Sequence, residues 1–128
     1  MGGYRELIAW QKAMDLVEHV YVATGAWPSE ERFGLVQQVR RAAVSVPANV
    51  AEGHGRTGSK EYLHHLSLAV GSLHELETHL LIAERVRFLP PDLCATLLEQ
   101  ADEVGRILGG LIRRLRESPN PQPLPSIP

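Results

Sequence analysis

The most regular apolar pattern in the chain lies between positions 59 and 85. Tyr62, Leu66, Ala69, Leu73, Leu76, Leu80 and Ala83 follow one another at steps of four, three, four, three, four and three. That spacing puts all seven on one side of an α-helix, as in a coiled-coil seam. A helix is therefore predicted after Ser59, its expected N-cap, with Glu61 in the first turn to suit the helix dipole. Gly71 inside it costs about 1 kcal/mol relative to alanine. A close helix–helix contact at Gly71-Ser72 is the expected compensation. A second long pattern follows Pro90-Pro91-Asp92, where proline suits a first helical turn. Leu93, Leu97, Ala101, Val104, Leu108, Leu111 and Leu115 form its core stripe, with Leu98 and Ile112 off it. Asp92, Glu99, Asp102 and Glu103 come early in this helix and Arg106, Arg113, Arg114 and Arg116 late, the order the dipole favours.

The first part of the chain carries two adjoining apolar stripes. Leu7, Met14, Val17 and Tyr21 make one, and Ala9, Ala13, Leu16 and Val20 the other, so a helix is predicted from Tyr4 to Thr24, stopped by Gly25. Trp27-Pro28 reads as a connection. The next helix is expected from Ser29, an N-cap candidate with Glu30 and Glu31 behind it, to about Gly53. Leu35, Val39, Ala42, Val46 and Val50 share one face at about 100° per residue. Pro47 removes a backbone donor inside this helix, so a kink is expected there. Gly53, Gly55 and Gly58 mark a turn over residues 54–58. No strand pattern appears. Four helices joined by short turns predict an all-α, antiparallel up-and-down four-helix bundle over residues 1–117. Residues 118–128, SPNPQPLPSIP, hold five of the nine prolines and no charge; they read as a Pro-rich flexible tail.

Beside the second helix's core stripe runs a polar column: Gln38, Arg41, Ser45, Asn49, Glu52 and Arg56. Glu52 precedes Arg56 by four residues, the favourable order for an ion pair. Three readings of the column stay open: a solvated face, a buried hydrogen-bond network within or between subunits, and a ligand or nucleic-acid surface. A buried network has to satisfy every member.

Here the residues resemble a known family. Gln38-Val39-Arg40-Arg41-Ala42-Ala43-Val44-Ser45-Val46-Pro47-Ala48-Asn49-Val50-Ala51-Glu52-Gly53 is similar to a motif of small bacterial four-helix-bundle proteins. These were first found encoded in intervening sequences of 23S ribosomal RNA genes. Glu6-Leu7-Ile8-Ala9-Trp10-Gln11-Lys12-Ala13 and the stretch from Gly71 to Ala83 also resemble it. His79 stands where a glutamine is usual, and Arg87 where a glycine is. The resemblance implies a bundle assembling into a ring, commonly a pentamer, without enzymatic activity. Related bundle proteins bind nucleic acid and assist reverse transcriptases, so the resemblance also implies RNA or a nucleic-acid-processing protein as partner.

Composition narrows the classes. With 13 basic and 15 acidic residues the net charge is −2, so any nucleic-acid binding has to come from local basic patches. Three candidates stand out: Arg40-Arg41, Arg56 with Lys60, and Arg113, Arg114 and Arg116. Aromatic residues make up 5% of the chain, which argues against base stacking as the main mode of recognition. The single cysteine, Cys94, excludes an internal disulfide and suits a cytoplasmic location. The chain has neither a signal-peptide pattern nor an apolar run of about 20 residues for a membrane span.

Tests for chemistry assign no catalytic residue, metal ligand or cofactor. His74 and His79 cannot share one metal ion: five residues apart on a helix, they diverge by roughly 140°. Glu61-x-x-His64 is half of a di-iron motif whose second half is missing. Cys94 reads as a small buried hydrophobe. The surplus apolar flanks on the first and fourth helices instead predict a homo-oligomer. The sequence thus favours a non-enzymatic ring that binds RNA, with an oligomeric protein–protein adaptor as the alternative.

Overall fold

Four long helices carry the described chain, and each is built where apolar spacing predicts one. The computed structural model describes residues 2–56 and 58–117; the proline-rich stretch 118–128 lies outside the described residues. Helix α1 spans Ile8–Thr24, α2 Leu35–His54, α3 Ser59–Arg85 and α4 Pro91–Glu117. No strand occurs among the described residues. Short connections make neighbouring helices antiparallel, and α2 and α3 share the most extensive contact, with α1 on α2 and α4 on α3 and α1 closing the bundle.

The core is the set of stripes that face inward. All seven seam residues of α3 are buried, as are Leu97, Ala101, Val104, Leu108, Leu111 and Leu115 on α4. Leu93 is exposed instead, and Cys94 takes the inward place, its Sγ directed at the carbonyl of Leu80. Both lie at the edge of the stripe, and the smaller Cys94 is the one facing α3. Leu98 and Ile112, expected as surplus, pack half-buried against the core. On α2, Val36 is buried while Leu35 is only partly so. The helix runs unbroken across Pro47, which is itself buried.

The helix starts depart from expectation, each for a local reason. Tyr4–Glu6 is a separate 3-10 turn, and Leu7 is extended, with φ −72° and ψ 129°. That swing carries Leu7 into the core at 1% exposure, a gain of about 2 kcal/mol that outweighs one turn of extra helix. Leu7 therefore leaves the stripe of Met14, Val17 and Tyr21, because helical spacing does not apply to an extended residue. Ser29–Glu31 is likewise a 3-10 turn, and no side-chain cap comes from Ser29. The start of α2 is held by Glu31, whose Oε1 accepts from the Leu35 backbone N–H at 3.2 Å. Gly34 makes room for it: a Cβ there would meet that oxygen at 3.0 Å. Ser59 is the first residue of α3, and its N-cap is Gly58 at φ 94°. Trp27 is more than a connection. It is buried against Phe88, ring centroids 6.1 Å apart, so two loops close one end of the bundle.

The close helix contact is not at Gly71, where an added Cβ would meet nothing. It is at Gly53, where a Cβ would come within 2.6 Å of the His65 Cβ and 3.1 Å of the Tyr62 ring. Only a residue without a side chain lets α3 approach α2 so closely.

Candidate functional site

The polar column of α2 divides into three parts in the fold. Ser45 and Asn49, both half-buried, face α3 and form an inter-helix network. Ser72 Oγ donates to Ser45 Oγ at 2.8 Å. Asn49 Nδ2 donates to Ser45 Oγ and to the Ser45 carbonyl, each at 3.0 Å. With its amide nitrogen so used, Asn49 presents Oδ1 to His65 Nδ1 at 3.1 Å. His65 Nδ1 donates to that oxygen, and on the other side of the ring Nε2 lies 3.9 Å from Glu52 Oε2. Glu52 and Arg56 form the second part, an exposed ion pair of 2.7 Å. The hydrogen bond from Arg56, followed by the nearby His65, holds the Glu52 carboxyl below the usual carboxylate range. Gln38 and Arg41 are the third part: both are exposed, with no side-chain hydrogen bond to a described residue.

His65 and Ser72 are the members that spacing along α2 did not point to. Both stand on α3. His65 occupies an a/d-flanking position next to Leu66, and its adjacency to the polar column exists only once Gly53 allows the two helices to cross.

The basic candidates separate as well. Arg40 is partly buried and already engaged: its Nε donates to Thr24 Oγ1 at 2.8 Å and a terminal nitrogen to the Tyr21 carbonyl at 3.2 Å. Its guanidinium lies 4.4 Å from the Tyr21 ring centroid. Thr24 in turn donates to the Val20 carbonyl. Arg40 thus adds a donor to the Tyr21 carbonyl, which also accepts from the Gly25 backbone N–H at the end of α1. The other two clusters share the opposite end of the bundle. Arg56 follows the end of α2, Lys60 is in the first turn of α3, and Arg113, Arg114 and Arg116 are in the last turns of α4. The end of α4 packs antiparallel to the start of α3, where Tyr62 feels the Arg114 charge. Lys60, Arg113, Arg114 and Arg116 are all exposed, and none forms an ion pair with a described residue.

Sequence comparison decides what this arrangement belongs to. The model of the 23S rRNA-intervening sequence protein family matches residues 5–110. The chain is a member of that family. No curated protein matches it. Among solved structures, it is similar to the crystal structure of a protein of unknown function from the S23 ribosomal protein family of Bacteroides thetaiotaomicron. The TM-score is 0.75 at 18% identity, over 83% of this chain and 96% of that one. At that identity the likeness speaks to the fold, which is the same four-helix arrangement. In this member of the 23S rRNA-intervening sequence protein family, the Ser45–Asn49 part of the motif ties α2 to α3.

The remaining candidates for chemistry are placed in ordinary surroundings. His74 is exposed, while His79 Nε2 pairs with Glu75 at 3.3 Å on the same helix. Glu61 and His64 are both exposed, His64 beside the His65 ring. Cys94 is buried, and burial pushes its thiol up from the usual value. No described helix is long and apolar enough to cross a membrane.

One apolar surface is left at the other side of the bundle. Val22 and Ala23 of α1 and Leu93 and Leu97 of α4 line a groove of ≈ 290 Å³, with His19 and Gln100 at its edge. His19 Nδ1 and Gln100 Oε1 are 3.0 Å apart, and Lys12 pairs with Glu103 at 3.7 Å. Both contacts join α1 to α4, the His19–Gln100 pair at the edge of the groove. Val22 is 74% exposed there.

Proposed function

We propose that this protein is a non-enzymatic, ring-forming bundle that binds RNA through its basic end. The observation that carries the reading is that Lys60, Arg113, Arg114 and Arg116 share one end of the molecule with Arg56, four of the five without a carboxylate partner among the described residues. One such patch is weak. Repeated around a ring axis it becomes multivalent, and binding strengthens without any new contact. The family's name links its members to 23S rRNA, and a ring of five copies is what the family resemblance implies. The α1–α4 groove supports self-association, because Val22 and Leu93 leave an apolar surface for a second copy. The non-enzymatic reading is supported by the Ser72–Ser45–Asn49–His65 network, whose polar groups are taken up in holding α2 to α3.

A titration of the native protein with structured RNA at two salt concentrations tests this. Binding dominated by phosphate contacts weakens by about tenfold or more between roughly 50 and 200 mM salt. Replacing Arg113, Arg114 and Arg116 by glutamine together should abolish most of it. If no RNA binds at low salt, the alternative stands: an oligomeric scaffold that uses the same apolar flanks for protein partners alone.

A further inference from the structure

At the opposite end from the basic cluster, α1 and α2 enclose a groove of ≈ 410 Å³ whose lining includes Tyr21, Arg32, Phe33, Arg40, Arg41 and Val44. Its size falls in the range of about 300–1,000 Å³ typical of small-ligand sites. Three of its lining residues are arginines and none is a carboxylate. In a chain of net charge −2, that local excess of positive charge is unusual. Arg40 is fixed in place by its bonds to Thr24 and the Tyr21 carbonyl and by stacking on the Tyr21 ring. Its other N–H donors have no acceptor among the described residues. Arg41, one residue on, is exposed and makes no bond to a described side chain. Phe33 stands in the connection before α2 at 82% exposure, with the Arg32 guanidinium 6.0 Å from its ring centroid.

An exposed phenyl ring beside three arginines suits a ligand that is planar and apolar on one part and anionic on the other. Arginine forks fit phosphate oxygens. An aromatic face accepts any base, at about 1–3 kcal/mol per stacked base. We infer that the α1–α2 groove is a nucleotide-binding subsite for single-stranded RNA, with a base stacked on Phe33 and the adjoining phosphate held by Arg41 and Arg32. The inference rests on the RNA-binding reading above and adds a second contact surface to it. The low overall aromatic content does not oppose it, since one well-placed ring serves one base.

Fluorescence anisotropy of a labelled, unstructured short RNA, titrated with the full-length protein, tests the site. Phe33→Ala should weaken binding by about 5- to 150-fold, the range expected for one lost stack. Phe33→Tyr should restore it. Arg41→Gln should weaken binding and lower the salt dependence by about one released ion. Light scattering of each variant should report the wild-type particle mass. If the wild-type protein binds RNA while Phe33→Ala and Arg41→Gln bind equally well, the groove is overturned and the basic end alone carries the binding. If Phe33→Ala weakens binding and also lowers the particle mass, the groove is a contact between subunits and the inference falls. If the wild-type protein binds no RNA, the RNA-binding reading falls, and this subsite with it.

Discussion

Arg87 has a positive φ of 69°, and among the described residues it is the only non-glycine that does. It sits just past the end of α3. Its backbone N–H donates to the Glu84 carbonyl at 3.0 Å, and that of Phe88 to the Ala83 carbonyl at 2.9 Å. Those two bonds make a Schellman motif, whose left-handed residue is usually glycine. The glycine that the family resemblance leads one to expect here has this physical cause. Holding an ordinary side chain in that conformation costs roughly 1–2 kcal/mol, part of which a glycine would give back in unfolded-chain entropy. Arg87→Gly should therefore raise stability by about 1 kcal/mol in denaturant unfolding. Tyr62 offers a second test at this scale. Its buried hydroxyl has no hydrogen-bond partner among the described residues, and burial pushes its pKa up to about 12, although the Arg114 charge pulls the other way. A raised folded-state pKa means the tyrosine's contribution is complete below the unfolded value of about 10. It is lost as pH rises through about 12. The unfolding midpoint should fall between about pH 10 and 12 in the wild type, and Tyr62→Phe should flatten that fall. At neutral pH the same change should cost under about 0.5 kcal/mol, because no hydrogen bond is broken.

Among the elements, the α2–α3 pair has the most specific interface. Gly53 sets its distance and the Ser72–Ser45–Asn49–His65 chain sets its register. Removing Asn49 leaves the buried His65 Nδ1 without its partner while the Ser72–Ser45 bond remains, so Asn49→Ala should cost about 1–3 kcal/mol. Arg41 lies in the same column but is exposed and unbonded to described side chains, so Arg41→Ala should stay within about 0.5 kcal/mol. Equilibrium unfolding of the two variants side by side checks the division of the column. Equal effects would mean that the column acts as one unit. The column's spacing along α2 was plain in the sequence, and so was the Glu52–Arg56 pair. Which members face α3 was not, because a helix shows its own periodicity and not the direction of its neighbour.

For the whole molecule, the question is what covers the apolar groove between α1 and α4. Burying Val22 and Leu93 against a second copy removes them from water at about 25 cal/mol per Å². Repeated in a ring, that gain accumulates at each contact. Light scattering should give a mass that is a multiple of the 14.2 kDa chain, and Val22→Glu should lower it by placing a charge in the contact. A single 14.2 kDa species in the wild type would remove the ring from the proposal.

Apolar spacing determined the four helices and nearly all of the core, because burial repeats with the helical turn and is written into every third or fourth residue, and the short connections determined their antiparallel order. The ends of the helices were decided by tertiary structure. Leu7 leaves helical geometry to reach the core, and Glu31 caps α2 in place of Ser29, since both outcomes depend on what lies across the bundle. The same holds for the surface. That Arg40 serves the end of α1, while Arg32, Arg41 and Phe33 share a groove, follows from how two helices meet, and distances between helices are not recorded in the order of residues along either one.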